Sequence, residues 1–512
     1  MMNSSLTSFL ISFFAGALYS LAYPSFLGGG WFPLLFIALP LFLWQLEKSA
    51  NFRQIALVIL SYNLGLDVVG YYWIPHTMRE FGQLPYLISL LIGLSFSLIL
   101  QPHWWAYTIW KKWRPPLNWH TETGILTNAL MITLLERYFP QQFPSFAGSP
   151  WLHLAPYLGL APYFGVAIFS FMTYWLCLEV VNQLKLKQLR PTVWIIFSAF
   201  VGLNALLPLT NPVKTADLPV RLVQANIGNF LKVESEHGDT NSYESIRNKY
   251  HELSTAEGNP ALIIWPETAY PNTFYGRLSK IDAIFLDIMK ATNAEMLIGG
   301  YDQDTSKSPF DLHESLYNSS ILLSGGKVKA SYHKNILIPF GETLPFGPFN
   351  EDVISVVPAV SLFARGYGTP KMETQSGYRF VTPICYEILD TNFLRTLLNQ
   401  WGNNHFIVNH TNDSWYGDTA EPYQHLFLSK WRALEFRLPI LRSTNTGITS
   451  VIFPDGTESK RLSIGEENFL DVEVPIAPAQ NTFYQLYGIY PLLGLFLFLV
   501  LISIVNDRRK TY

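Results

Sequence analysis

Tyr378-Arg379-Phe380-Val381-Thr382-Pro383-Ile384-Cys385-Tyr386-Glu387 contains an apolar run, rich in β-branched and aromatic residues, that ends at a cysteine. Such a run reads as a buried strand, and helical spacing follows from Ile388 to Trp401. Cys385 therefore falls at a strand-to-helix turn. There the positive end of the helix dipole is expected to lower the thiol pKa, as a nucleophile requires. Taken alone, a cysteine in an apolar run is more often a small buried residue. Its meaning depends on what the neighbouring strands deliver.

From Pro219 onward, short β-like runs alternate with helical patterns. Besides the run ending at Cys385, strands are expected at Val220–Ala225, Ala261–Pro266, Glu295–Gly300, Tyr317–Leu323, Val328–Tyr332, His405–Asn409, Ile440–Thr444, Thr449–Phe453 and Phe469–Val474. Helices are expected near Ser242–Thr255, Leu278–Ala291, Ile388–Gln400 and Gln424–Arg437. Many strands with few helices predict a layered α/β domain, its sheets packed between helices. Two other strand ends carry reactive groups. Leu262-Ile263-Ile264-Trp265-Pro266-Glu267 delivers a carboxylate after a proline, and Tyr332-His333-Lys334-Asn335 leads through Pro339-Phe340-Gly341 to Glu342. Singly, Glu267 reads as a helix cap, Lys334 as a surface charge and Glu342 as a loop carboxylate. With Cys385 they become a carboxylate, a cation and a thiol at successive strand ends, a set that one pocket can use. No metal is expected: there is no His-Glu-x-x-His run, and His405 and His410 stand on opposite faces of a strand pattern, as core or solvent groups.

The first two hundred residues have a different character. Over the whole chain 49% of residues are hydrophobic and only 14% charged, which suggests a membrane, while a net charge of -3 without a large basic block gives no support for binding nucleic acid. Apolar segments of span length occur at about Leu6–Tyr23, Trp31–Leu46, Ile55–Ile74, Pro85–Trp110, Leu126–Tyr138, Leu158–Leu184, Val193–Leu209 and Ile489–Val505. The fifth is short and ends in Glu136 and Arg137, a prospective ion pair, and Gly28-Gly29-Gly30 reads as a tight turn. Basic residues gather after the second, fourth, sixth and last spans, in Glu47–Arg53, Lys111–Arg114, Lys185–Arg190 and Arg508–Lys510. The positive-inside rule puts these connections and both termini in the cytoplasm, and residues between Thr210 and Tyr487 outside. Ser20-Leu21-Ala22 resembles a cleavage site, but no basic residue precedes it within Met1–Ser8, so the first span is expected to be retained. Cys177 lies in an apolar run, Phe169–Val181, which argues against a disulfide with Cys385.

The segments Trp265-Pro266-Glu267, His333-Lys334-Asn335 with Pro339-Phe340-Gly341-Glu342, and Cys385-Tyr386-Glu387 resemble, in this order, the Glu-Lys-Cys signature of the nitrilase superfamily of carbon–nitrogen hydrolases. Asn412-Asp413-Ser414-Trp415-Tyr416-Gly417, Arg432-Ala433-Leu434-Glu435 and Arg442-Ser443-Thr444-Asn445-Thr446-Gly447 are similar to further segments of it. A membrane bundle before that domain and one span after it resemble the apolipoprotein N-acyltransferase family. The resemblance implies a multi-span helical bundle at residues 1–212, a periplasmic nitrilase-like αββα sandwich at 213–484, and an anchor with a basic tail at 485–512 in the bacterial inner membrane. It also implies Glu267 as general base, Lys334 as oxyanion stabiliser and Cys385 as nucleophile, with Glu342, Tyr386 and Glu387 in support. The implied reaction passes an acyl chain from a phospholipid, phosphatidylethanolamine by expectation, through a Cys385 thioester to the α-amine of a diacylglyceryl-cysteine apolipoprotein, without metal or cofactor. Where Val233 stands, the family usually has a tryptophan associated with substrate handling.

Between Ile336 and Phe363 the chain is apolar with few charges, and Phe340, Phe346 and Phe349 make this loop a candidate lid that dips into the outer leaflet. The alternative is a loop packed on the bundle. A membrane-anchored amidase or nitrilase would use the same three catalytic residues and pass the acyl group to water. The number of spans and the apolar loop favour transfer.

Overall fold

The computed structural model describes residues 4–80, 84–113, 121–141, 143–236, 238–276, 280–304, 306–307, 315–339, 341–344 and 362–510. The chain divides into two compact units, one of residues 1–76, 85–209 and 482–512, the other of residues 77–84 and 210–481. The last helix, Tyr490–Lys510, therefore groups with the first unit.

In the first unit, helices Ser4–Ser20, Leu35–Lys48, Phe52–Gly70, Glu122–Tyr138, Ala161–Leu186, Pro191–Leu206 and Tyr490–Lys510 occupy seven of the expected spans. The helices Phe52–Gly70 and Ala161–Leu186, and the broken stretch Tyr86–Lys112 taken as a whole, are long and apolar enough to cross a membrane; Ser5–Ser20, Pro191–Leu206 and Tyr490–Val505 are shorter apolar helices. The expected span Pro85–Trp110 is not one helix. It runs as helix Tyr86–Ser95, a 3-10 turn Phe96–Leu98 and a second helix His103–Trp113. Pro102 cannot donate to the helical ladder, and Gln101 turns to φ +45°. The freed groups find partners inside the bundle: Asn63 Nδ2 donates to Leu100 O at 2.6 Å, and Gln101 Nε2 donates to Ser145 Oγ at 3.1 Å. Irregular backbone persists away from water only under such compensation.

Helices Ser4–Ser20 and Phe52–Gly70 touch at Gly16 and Gly65, where an added Cβ would stand 1.9 Å from Tyr62 O and 1.9 Å from Phe13 O. Only glycine permits that approach. Glu136 turns its Oε1 to the Ala147 N–H at 2.7 Å and the Tyr174 hydroxyl at 2.6 Å, while Arg137 lies over the Phe146 ring. Lys185 pairs with Glu47, and Lys111 is within electrostatic reach of both. Three of the basic connections thus gather on one side of the bundle.

The second unit is a four-layer αββα sandwich. Its strands are β1 (Ala216–Gln224), β2 (Leu262–Ile264), β3 (Thr273–Phe274), β4 (Glu295–Gln303), β5 (Leu316–Ser324), β6 (Lys327–His333), β7 (Met372–Glu373), β8 (Arg379–Val381), β9 (Phe406–Thr411), β10 (Ile440–Thr444), β11 (Ser450–Ile452) and β12 (Asn468–Ile476). One sheet runs β12-β1-β2-β4-β5-β6, with β3 beside β4; the other runs β11-β10-β9-β8-β7. Helices Thr240–Thr255 and Ala283–Thr292 cover the first sheet, burying Ile246, Tyr250, Phe285 and Ile288 against Ile263, Trp265, Met296 and Ile298. Both are started by aspartates: Asp239 accepts from Ser242 N at 2.7 Å and Asp282 from Ile284 N at 3.2 Å. Helices Thr391–Trp401 and Glu421–Phe436 belong to the layer on the second sheet.

Where the sheets face each other near their strand ends, the contacts are polar. Ser443 Oγ donates to Val223 O at 3.3 Å, Thr382 Oγ1 donates to Ser320 Oγ at 3.0 Å, and Thr444 Oγ1 donates to Gln224 Oε1 at 3.0 Å. A dry apolar interface would leave these groups unpaired at a cost of about 1–3 kcal/mol each. Their mutual satisfaction fixes the register that sets the site residues opposite one another.

Candidate active site

Glu267 follows β2 and is almost fully buried. Gly299 of β4 lets the chain pass close behind it, since a Cβ there would stand 2.0 Å from Pro266 O and 2.7 Å from Glu267 Cα. Glu267 Oε1 accepts from Lys334 Nζ at 3.1 Å and from Asn318 Nδ2 at 2.8 Å, and Oε2 accepts from the Asn412 N–H at 3.0 Å. Lys334, just after β6, also donates to Glu342 Oε1 at 2.8 Å. Asn318 Nδ2 donates to the same Glu342 oxygen at 2.9 Å, and Glu342 Oε2 accepts from Ile338 N at 3.0 Å. Burial opposes charge on Lys334, but the fields of Glu267, Glu342 and Cys385 outweigh it and hold the ammonium well above the ordinary lysine value. The cation is secure at any physiological pH.

Cys385 is buried, and its surroundings overturn one expectation. No α-helix starts at Ile388; residues Cys385–Leu389 form a 3-10 turn, and the α-helix begins at Thr391 under an Asp390 cap. Pro383 ends the strand early, at Val381, leaving an isolated bridge from Ile384 to His410. The helix dipole is displaced from the thiol, so the thiol is not acidified. Burial pushes it well above the usual thiol range, the Glu267 and Asp413 charges add to that, and Lys334 and a Thr411 hydrogen bond pull the other way. A nucleophile held as a thiol needs a base beside it.

Glu387 ties the two strand ends together. Its Oε1 accepts from Asn335 N at 2.6 Å and Ile336 N at 2.9 Å, next to Lys334; its Oε2 accepts from Ile384 N at 2.8 Å, next to Cys385, and from the Tyr332 hydroxyl at 2.7 Å. Burial pushes this carboxyl up to about 7 against the pull of those donors. The Tyr386 hydroxyl donates to Glu421, and its ring stacks on His425 at 4.5 Å. Val233 sits half-exposed on helix Asn229–Glu236 near exposed Phe230. Phe340, Phe346 and Phe349 lie outside the described residues. Beside Asn335 and Thr343 a cavity of about 590 Å³ is lined by apolar Ile336, Leu337 and Phe363 together with Lys307 and Arg365.

Asp413, Glu421 and His425 bring ligand-type atoms within 4.8 Å of one another. Arg442 Nη2 stands 3.0 Å from Asp413 Oδ2 and 3.2 Å from His425 Nδ1, so a guanidinium already supplies the positive charge there. His410 has its ring nitrogens committed across the sheets, with Nδ1 2.7 Å from Trp265 O and Nε2 2.8 Å from Ser320 Oγ. Asn318, Asn409 and Thr411 carry no recognisable signal in the sequence; Asn412, Asp413 and Arg442 fall within runs that do, but without a role that local spacing reveals.

The carbon-nitrogen hydrolase family model matches residues 220–484, and the model of the apolipoprotein N-acyltransferase N-terminal domain matches residues 15–178. The chain is 30% identical to the apolipoprotein N-acyltransferase of Bdellovibrio bacteriovorus over 458 residues, covering 85% of this chain and 82% of that one. The chain belongs to the apolipoprotein N-acyltransferase family. The Haemophilus ducreyi member is 27% identical over 507 residues and covers 94% of each chain. Among solved structures, Saccharomyces cerevisiae Nit3, of branch 10 of the nitrilase superfamily, aligns with a TM-score of 0.37 at 14% identity, over 52% of this chain and 93% of its own. As a member of the N-acyltransferase family, with apolar helices of membrane-spanning length, this is a membrane acyltransferase.

Proposed function

We propose that the enzyme moves a fatty acyl chain from a phospholipid, phosphatidylethanolamine in the first instance, to the α-amine of the diacylglyceryl-cysteine that begins an apolipoprotein, through a Cys385 thioester. The observation that carries this reading is the convergence of Glu267, Lys334 and Cys385 at one buried site, with the thiol held protonated beside a carboxylate. Glu267 takes the thiol proton, and the sulfur attacks the ester carbonyl. Lys334 uses two of its three N–H donors on Glu267 and Glu342, and the third is left for the oxyanion. Collapse of the tetrahedral intermediate breaks the ester C–O bond, and the lysophospholipid oxygen leaves with the proton from Glu267. In the second half-reaction the acceptor amine attacks the thioester, Glu267 takes its proton, and the thiolate leaves as an amide forms. Glu342 orients Lys334, and Glu387 holds the Lys334 and Cys385 turns at a fixed separation.

The cavity beside Asn335, where apolar Ile336, Leu337 and Phe363 meet the cations Lys307 and Arg365, suits a lipid with a phosphate head group, and the loop with Phe340, Phe346 and Phe349 is proposed as a lid that gives lipid tails a path to Cys385. The gathered basic connections support an orientation with both termini cytoplasmic and the second unit on the periplasmic face of the inner membrane. Intact-mass analysis of the purified protein after incubation with phosphatidylethanolamine tests the chemistry. A gain of one acyl chain on Cys385, discharged faster by a diacylglyceryl peptide amine than by water, is expected. Discharge to water alone would favour an amidase, and no adduct, with Cys385→Ala fully active in cells, would sink the thioester.

A further inference from the structure

Cys385 stands at φ +53°, a left-handed backbone that costs a residue with a Cβ about 1–2 kcal/mol. Two hydrogen-bonded arms run to it from one guanidinium. Arg442, in β10 and wholly buried, donates through Nη1 to Asn409 Oδ1 at 2.7 Å. Because Arg442 can only donate, the Asn409 amide is oriented, and its Nδ2 donates to Pro383 O at 3.1 Å and Cys385 O at 3.2 Å. Along the second arm, Arg442 Nη2 donates to Asp413 Oδ2 at 3.0 Å and Asp413 Oδ1 accepts from Thr411 Oγ1 at 3.3 Å, and Thr411 pulls the Cys385 thiol down against its burial. One arm grips the backbone of the nucleophile, and the other fixes the hydroxyl whose influence its sulfur feels.

We propose that Arg442 is a positioning residue for acyl transfer, holding Cys385 in its left-handed turn through Asn409 and orienting the sulfur through Asp413 and Thr411. The inference rests on the reading of Cys385 as nucleophile. The Thr411 hydroxyl has one proton. While sulfur is a thiol that proton goes to Asp413; when Glu267 has removed the S–H proton, the hydroxyl rotates and donates to the thiolate, leaving Asp413 neutralised by Arg442. No atom is exchanged, and the charge appearing on sulfur meets a donor already in place.

The test uses the full-length protein in detergent, with iodoacetamide alkylation of Cys385 followed by peptide mass across pH, and acylation from phosphatidylethanolamine micelles in parallel. Thr411→Val is expected to move the alkylation profile up by about one pH unit, and Thr411→Ser to restore it. Asn409→Asp keeps an acceptor for Arg442 but removes the donors to the two carbonyls. It should slow acylation about 100-fold while KM for the phospholipid changes little. A Thr411→Val profile that overlays the parent, or Asn409→Asp acylating within about threefold of it, far short of what a misplaced reacting group costs, would overturn the inference. Alkylation that shifts as expected while the parent protein forms no acyl adduct would uphold the positioning and defeat the nucleophile reading instead.

Discussion

Lys334 and Arg442 are both buried cations, one beside each sheet of the sandwich, and they spend their donors differently. Lys334 touches two carboxylates and keeps one N–H. Glu342, one of those carboxylates, retains some exposure, its side chain 12% accessible. Arg442 touches Asn409, Asp413 and His425, and neither Asp413 nor His425 has any side-chain exposure. A charge that serves a transition state stands at the edge of its network with capacity unspent. A charge that serves the backbone is enclosed by fixed partners.

The largest effects should separate the two. Lys334→Met is expected to lower acylation by about 10³-fold, the scale of losing an oxyanion donor, while the protein still folds, because Asn318 Nδ2 still donates to Glu267 and Glu342 and the Asn412 N–H to Glu267. Arg442→Met strands the Asp413 carboxylate in the interior and is expected to cost about 3–5 kcal/mol of stability. Thermal melts in detergent beside single-turnover acylation would check the pair. An Arg442→Met protein melting like the parent would break the distinction.

Much of the Lys334 side was legible in the sequence, and much of the Arg442 side was not. Glu267 and Cys385 each end an apolar run and Lys334 an alternating one, so local pattern alone puts them at strand ends. The 3-10 turn at Cys385–Leu389 escaped because helical spacing does not distinguish it from the helix that follows. Asn318, in the middle of β5, looks like any polar residue on a strand until Glu267 and Glu342 are seen on either side of its amide. Asn409 and Arg442 acquire meaning only when β9 pairs with β10, a contact across 33 positions that no local period encodes. In the bundle, Pro102 was the available signal for the break in the fourth span, and it was masked by the apolar residues on both sides.

His410 joins the two sides and gives the comparison a pH dependence. It belongs to β9 in the second sheet but bonds Trp265 O and Ser320 Oγ on the first. Burial lowers its pKa from the ordinary 6.5 to about 4. Between those values the unfolded chain binds a proton that the folded chain refuses, so stability is full above about pH 6.5 and falls as pH drops towards 4, by up to about 3 kcal/mol. Melting temperatures from pH 7 to pH 4 should decline less steeply in His410→Gln than in the parent. Parallel declines would mean that His410 is not what acid attacks.

The smallest effect is expected at Tyr386, and it asks to which side that residue belongs. The resemblance makes Tyr386 a supporting residue, and its hydroxyl faces Glu421 while its ring lies flat on His425. Burial, reinforced by the Asp413 charge, pushes the Glu421 carboxyl up, and a single buried hydrogen bond of the hydroxyl is worth about 1 kcal/mol. Tyr386→Phe keeps the stack and removes the bond to Glu421. Acylation should fall by no more than about tenfold, as the loss of about 1 kcal/mol allows, whereas Tyr386→Ala, which also strips the support from His425, should lose more. If Phe at this position abolishes acylation while the melting temperature stays put, the hydroxyl acts on the reacting atoms, and Tyr386 stands with Lys334 in the chemistry.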